Sequence, residues 1–151
     1  MTINVNFATV ADGISNISIA GITVKDIDAI PDSVTMLCPI LIPQPNDFIS
    51  DIQVTRMSYG GAGSELLNMT YSLNYVFLQA QAGSGISAFS TYAGLISNLA
   101  AIIKAVLQND NINGAVDMEM KSAPSIGVIT DPAGNEYWGC LISFSVTEHL
   151  Q

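Results

Sequence analysis

The sequence predicts an α+β domain: a mostly antiparallel sheet with one long helix packed across it and a short helix near the N-terminus. Three stretches predict it. Residues 67–77 place Leu67, Met69, Tyr71, Leu73, Tyr75 and Phe77 in alternation with Asn68, Thr70, Ser72 and Asn74, the period of a strand with one buried face. Residues 86–108 switch to helical spacing, with Ile86, Phe89, Tyr92, Ala93, Ile96, Leu99, Ala100, Ile103, Val106 and Leu107 on one broad face. Residues 125–147 read as a hairpin: Asp131-Pro132-Ala133-Gly134 has the side chains of a type I turn, and Trp138, Cys140, Ile142, Phe144 and Val146 alternate after it.

The other elements follow in order. Phe7, Val10, Ile14 and Ile17 recur at helical intervals and predict the short first helix. Ile17, Ile19, Ile22 and Val24 mark a strand-like stretch with Gly21 at a turn or bulge, and residues 25–33 read as an ordered loop. Pro39, Pro43 and Pro45 remove ladder donors from residues 34–45 and predict an extended segment confined to a sheet edge. Residues 51–58 form a further strand. Gly83-Ser84-Gly85 ends the long strand, Ser84 or Ser87 caps the main helix, and Asn109 to Gly114 is its polar exit. Val116, Met118 and Met120 alternate with Asp117, Glu119 and Lys121, so the last third reads as a three-strand meander.

All 151 residues fit one domain, large enough to bury roughly 70% of the surface its unfolded chain exposes. Charged residues make up only 11% of the chain, against about 25% in ordinary domains. So sparse a charge cover predicts that part of the surface is buried against partners. The formal net charge is −9, with six acids among residues 1–51 and six among residues 110–151. Four dispersed cations cannot grip a phosphate backbone, which excludes sequence-specific nucleic-acid binding. Cys38 and Cys140 have no metal-like or redox-like spacing and read as buried thiols of a reducing compartment. The first residues lack the pattern of a signal peptide, and no segment reads as a membrane span.

The search for chemistry yields no enzyme. A nucleophile needs an adjacent base, and the single histidine, His149, lies two residues from the end of the sequence, where it reads as a solvated side chain. Asp26, Asp28 and Asp32 resemble a fragment of a calcium loop but lack its sixth-position glycine and closing glutamate; they read as carboxylates facing solvent or a partner. Asp117 and Glu119 share the polar face of a strand. Gly60, Gly61 and Gly63 lie between two strands, not between a strand and a helix, so they form an inter-strand loop that orders when a neighbour docks, and no phosphate cradle. Tyr71, Tyr75 and Phe77 share a strand face but lack the cations of a base-stacking platform and read as core. No cofactor and no metal are expected.

Residues 69–77 (Met-Thr-Tyr-Ser-Leu-Asn-Tyr-Val-Phe), leading into the main helix, and the finish at residues 134–148 (Gly-Asn-Glu-Tyr-Trp-Gly-Cys-Leu-Ile-Ser-Phe-Ser-Val-Thr-Glu) carry a resemblance. Over residues 50–148 the chain resembles the tail terminator proteins of tailed bacteriophages. The resemblance implies a virion protein made in the host cytoplasm, a homo-oligomeric ring, usually a hexamer, that stops tail-tube growth and joins tube to connector while DNA passes through the lumen unbound. It brings no active site. Asp117 and Glu119 become candidate lumen-facing acids, and Asp26, Asp28, Asp32, Gly60, Gly61 and Gly63 candidate docking loops. Residues 39–45 and the acidic run near Asp28 do not match the family's pattern. Competing readings are a tail tube subunit, a head-completion protein, or a cytoplasmic small-ligand domain with a pocket near Tyr75, Trp138 and the main helix.

Overall fold

A computed structural model describes residues 7–25, 39–44, 47–56, 67–82, 88–108, 117–121, 125–130 and 134–150. The elements are α1 (Phe7–Ser15), β1 (Thr23–Val24), β2 (Ile40–Pro43), β3 (Ile49–Arg56), β4 (Leu67–Gln81), α2 (Ala88–Leu107), β5 (Asp117–Met120), β6 (Ile126–Thr130) and β7 (Glu136–Leu150).

This corrects the fold class read from the sequence. A mixed sheet of seven strands dominates, and two helices of 9 and 20 residues accompany it; the chain is not one long helix laid across an antiparallel sheet. The sheet is mixed because β1 runs parallel to β2, with Thr23 beside Ile40 and Val24 beside Leu41. Its centre is a pair of 15-residue antiparallel strands, β4 and β7, matched from Leu67↔Leu150 to Gln81↔Tyr137 with a bulge between Leu78 and Ala80. The outer side of β4 carries two short strands end to end: β3 along residues 67–73 and β2 along residues 75–78. The outer side of β7 is likewise shared by β6, at residues 136–140, and β5, at residues 144–147.

Three further readings change with this topology. The last third is not a meander, because β5 and β6 pair separately with β7 and occupy one lane in tandem. β2 is not an edge strand either: it lies between β1 and β4, and the prolines fall where they do least harm. Pro39 offers only its carbonyl, to the Thr23 amide (2.9 Å), and Pro43 pairs with Tyr75 beyond the end of β1. Finally, α2 buries a stripe rotated one residue from the predicted face. Leu95, Leu99, Ile102 and Val106 are buried, at steps of four, three and four, whereas Ile96 is 56% exposed. A helix rich in apolar residues has several candidate stripes, and packing against the sheet selects one.

The main core lies between the helices and one face of the sheet. Val10 and Ile14 of α1 and the four α2 residues meet Tyr71, Leu73, Tyr75 and Phe77 of β4 and Cys140, Ile142, Phe144 and Val146 of β7. Each such side chain contributes about 1.5–3 kcal/mol by leaving water. A smaller cluster occupies one end of the opposite face, with Ile40, Ile42, Val76, Leu78 and Tyr137 buried and Ile129 partly so. Local signals close the elements: the Asn16 side chain and amide both bond the Asp12 carbonyl at the end of α1, and Gly21 takes φ +79° in the turn that joins Ile19 to Ile22. Residues 26–38, 57–66, 83–87, 109–116 and 131–133, which hold the acidic run, the glycine loop, Cys38, the helix caps and most of the predicted type I turn, lie outside the described residues.

Candidate functional site

The face of the sheet turned away from the helices divides into an apolar end, described above, and a polar end. Strand alternation builds the polar end: Thr70, Ser72 and Asn74 of β4 stand opposite Thr147, Ser145 and Ser143 of β7. The Thr70 and Thr147 hydroxyls lie 3.4 Å apart across the strand pair. Ser72 and Asn74 are buried although no apolar cluster includes them.

Asn74 organises this face. Its Nδ2 donates to the Asp47 carbonyl (2.7 Å) and to Ser50 Oγ (2.9 Å), and its Oδ1 accepts from Ser143 Oγ (2.6 Å). One amide thereby ties the loop before β3, β3 itself and β7 together, which satisfies a buried polar group that would otherwise destabilise the fold by about 1–3 kcal/mol. At the margin, Lys121 Nζ pairs with the Asp51 carboxylate. Asp51 has φ 55° and sits in the bulge of β3 between Ser50 and Gln53, a conformation that Asp tolerates better than most residues.

The predicted lumen acids lie on β5. Asp117 stands opposite Thr147 and Glu119 opposite Ser145, while Met118 and Met120 pack against the main core. Glu119 is exposed. The predicted docking residues Asp26, Asp28, Asp32, Gly60, Gly61 and Gly63 lie outside the described residues. His149 stands within the β7 ladder opposite Asn68. Tyr71, Tyr75 and Phe77 are buried in the core. Tyr75 packs edge-on against both Phe48 and Phe144, and Trp138 against Tyr92.

Two polar features lie on the core side; the first was not anticipated, and the second is the buried thiol that the sequence predicted. The Tyr71 hydroxyl donates to Glu148 Oε2 at 2.7 Å, with Glu148 only 1% exposed. Burial, then the hydrogen bond and charge of Glu148, push the Tyr71 phenol well above its ordinary range, so it stays protonated and keeps donating. Cys140 is a free thiol in the core, and burial pushes it from 9.0 up to about 11, which makes it a poor nucleophile at neutral pH. The signal for the first pair was the alternation itself, which puts Glu148 in phase with Val146 and Phe144.

The open margins are apolar. β3 has no strand on its outer side among the described residues, and Ile52 and Val54 on it are 62% and 57% exposed. Val128 on β6 and Leu141, in the gap between β5 and β6, are half exposed. Unpaired backbone beside exposed β-branched side chains is a surface suited to pairing with another chain. Among the described residues no cluster of three or more His, Cys, Asp or Glu side chains could hold a metal ion, and no helix is long and apolar enough to cross a membrane. No protein-family model matches the chain, and no curated protein matches it in sequence.

Proposed function

We propose that the chain is a structural virion protein that forms a ring at the head-proximal end of a phage tail, ends the tube there and joins it to the neck. The observation that carries this reading is the outer edge of β3, open among the described residues, with Ile52 and Val54 exposed on a chain whose charged fraction is only 11%. An edge of this kind invites association, and closed symmetry is what keeps association from running on into filaments. The residue pattern at 69–77 and 134–148 supplies the setting.

The acids suit a channel. Six copies would carry six times the subunit's −9, and the part of it facing a lumen would repel a DNA backbone and let it slide. Asp117 and Glu119 are the residues assigned to that surface, with the neutral Ser and Thr row of β7 beside them.

Light scattering on the purified chain, followed by negative-stain microscopy of the same sample, tests the proposal. Rings of about six subunits without long tubes are the expected result. Long tubes would make the protein a tube subunit, and a monomer at every concentration, alone and with tail tubes added, would overturn the assembly reading.

A further inference from the structure

Both outer lanes of the sheet break at the same level. On one side β3 ends its pairing at Leu73 and β2 begins at Tyr75; on the other, β6 ends at Cys140 and β5 begins at Phe144. Asn74 and Ser143, which stand opposite each other, occupy the row between. Among the described residues only β4 and β7 run through that row as strands. It divides the sheet into one half of β3, β4, β7 and β5, polar on its outer face, and another of β1, β2, β4, β7 and β6, whose outer face is the small apolar cluster.

The backbone groups in the row bond to connecting segments instead of neighbouring strands. The Asn74 amide donates to the Phe48 carbonyl (2.8 Å), the Gln44 amide to the Asn74 carbonyl (3.0 Å), and the Lys121 amide to the Ser143 carbonyl (3.0 Å). Side chains and one backbone bond complete a circuit across four lanes: Ser50 to Asn74 and Asn74 to Ser143 through side chains, the Lys121 amide to the Ser143 carbonyl through the backbone, and the Lys121 side chain back to Asp51, next to Ser50. In a flat sheet the lanes of Asp51 and Lys121 would be about 14 Å apart, three inter-strand steps. A Lys and an Asp side chain cannot span that distance, so the sheet must curl toward its polar face to close the circuit.

We infer that the Asn74–Ser143 row is a bending line of the sheet, clamped by Asn74 and held at its curled angle by the Asp51–Lys121 pair acting as a strap. A two-stranded ribbon accepts more twist than a wide sheet, and bending here breaks no ladder bond of the outer lanes because none crosses the row. The strap is exposed on both sides, so salt screens it, and it opens without disturbing the helix-covered core.

Amide hydrogen exchange, followed residue by residue in wild type, Asp51→Asn, Lys121→Gln and the double variant, at about 0.05 M and about 1 M salt, tests the inference. Asn at position 51 keeps a residue that accepts positive φ while removing the charge. The amides of Gln44, Asn74 and Lys121 should exchange about two- to fivefold faster in either single variant and in wild type at high salt, the range expected of an exposed ion pair. Phe77 and Cys140, beyond the row, should not change, and the double variant should be no faster than either single one. Ser143→Ala, which removes one arm of the clamp and leaves the core untouched, should accelerate the same amides. Acceleration spread evenly over the sheet, or none at the row, would overturn the inference.

Discussion

Replacing Phe144 by Ala tests whether β7 presents the face assigned to it. Phe144 is fully buried, opposite Leu73 on β4 and Met120 on β5, and its ring meets Tyr75 edge-on at 6.3 Å between centroids. Truncation removes the transfer free energy of the ring and leaves a cavity whose walls are fixed by strand pairing on both sides. The loss should therefore lie in the upper part of the range of about 3–5 kcal/mol for such changes. That is a large fraction of a total stability of about 5–15 kcal/mol, and at about 2–4 °C per kcal/mol a loss of about 4–5 kcal/mol lowers Tm by roughly 8–20 °C. Urea unfolding followed by the fluorescence of Trp138, the single tryptophan, measures it: the midpoint should fall while the slope stays constant. Ser145→Ala, the next residue on the opposite face, serves as the control and should change stability far less. A loss below about 1 kcal/mol for Phe144→Ala at unchanged slope would refute the burial argument.

Three further outcomes are expected. Leu95→Ala should cost about 2–5 kcal/mol in urea unfolding and Ile96→Ala about 0.5 kcal/mol or less; the reverse order would place α2 on its predicted stripe. Gly139→Ala should cost about 1–3 kcal/mol, because an added Cβ would run into the Phe77 carbonyl beside the bulge at Leu78 and Ala80; a neutral result would show that the strands part freely there. The Cys140 thiol holds its proton more tightly folded than unfolded, so the unfolded chain loses protons first and stability should fall as pH rises from about 9 toward about 11. Cys140→Ala should flatten the start of that decline, below roughly pH 10 where tyrosines begin to titrate; an unchanged profile would remove Cys140 as its cause.

Strand alternation made β4 and β7 legible, since Leu67 to Tyr75 in β4 and Trp138 to Val146 in β7 place apolar residues at every second position of one face, and the spacing of Val10 and Ile14 marked α1. Lane sharing was not legible. Period two says which face a residue takes, but it does not say which strand lies alongside, so β5 and β6 read as successive meander strands when they share one lane of β7. Asn74 looked like an ordinary outward polar residue, because its role depends on two lanes breaking at its level, and no local pattern records that. Of the predicted site residues, Asp117 and Glu119 were placed on the polar face by simple alternation. The partners of the bending row, Ser50, Asp51, Lys121 and Ser143, are far apart in sequence and none is unusual alone.

The β4–β7 ladder joins residues as far apart as Leu67 and Leu150, 83 positions along the chain. Loops of that size close slowly, and topologies built on them fold slowly. During synthesis β4 must wait for β7 while the 69 residues from Gln81 to Leu150 are added, about 3–14 s at about 5–20 residues per second. The β6–β7 hairpin needs no such delay, because its strands adjoin. For those seconds one side of β4, bearing Tyr71, Leu73, Tyr75 and Phe77, is a sticky surface, whereas on the other side Thr70, Ser72 and Asn74 are polar and Val76 and Leu78 are apolar. The hydroxyl and amide row therefore narrows the surface through which a half-made chain can aggregate, and places the burden of the wait on α2, the helix made next and the one that covers the sticky side.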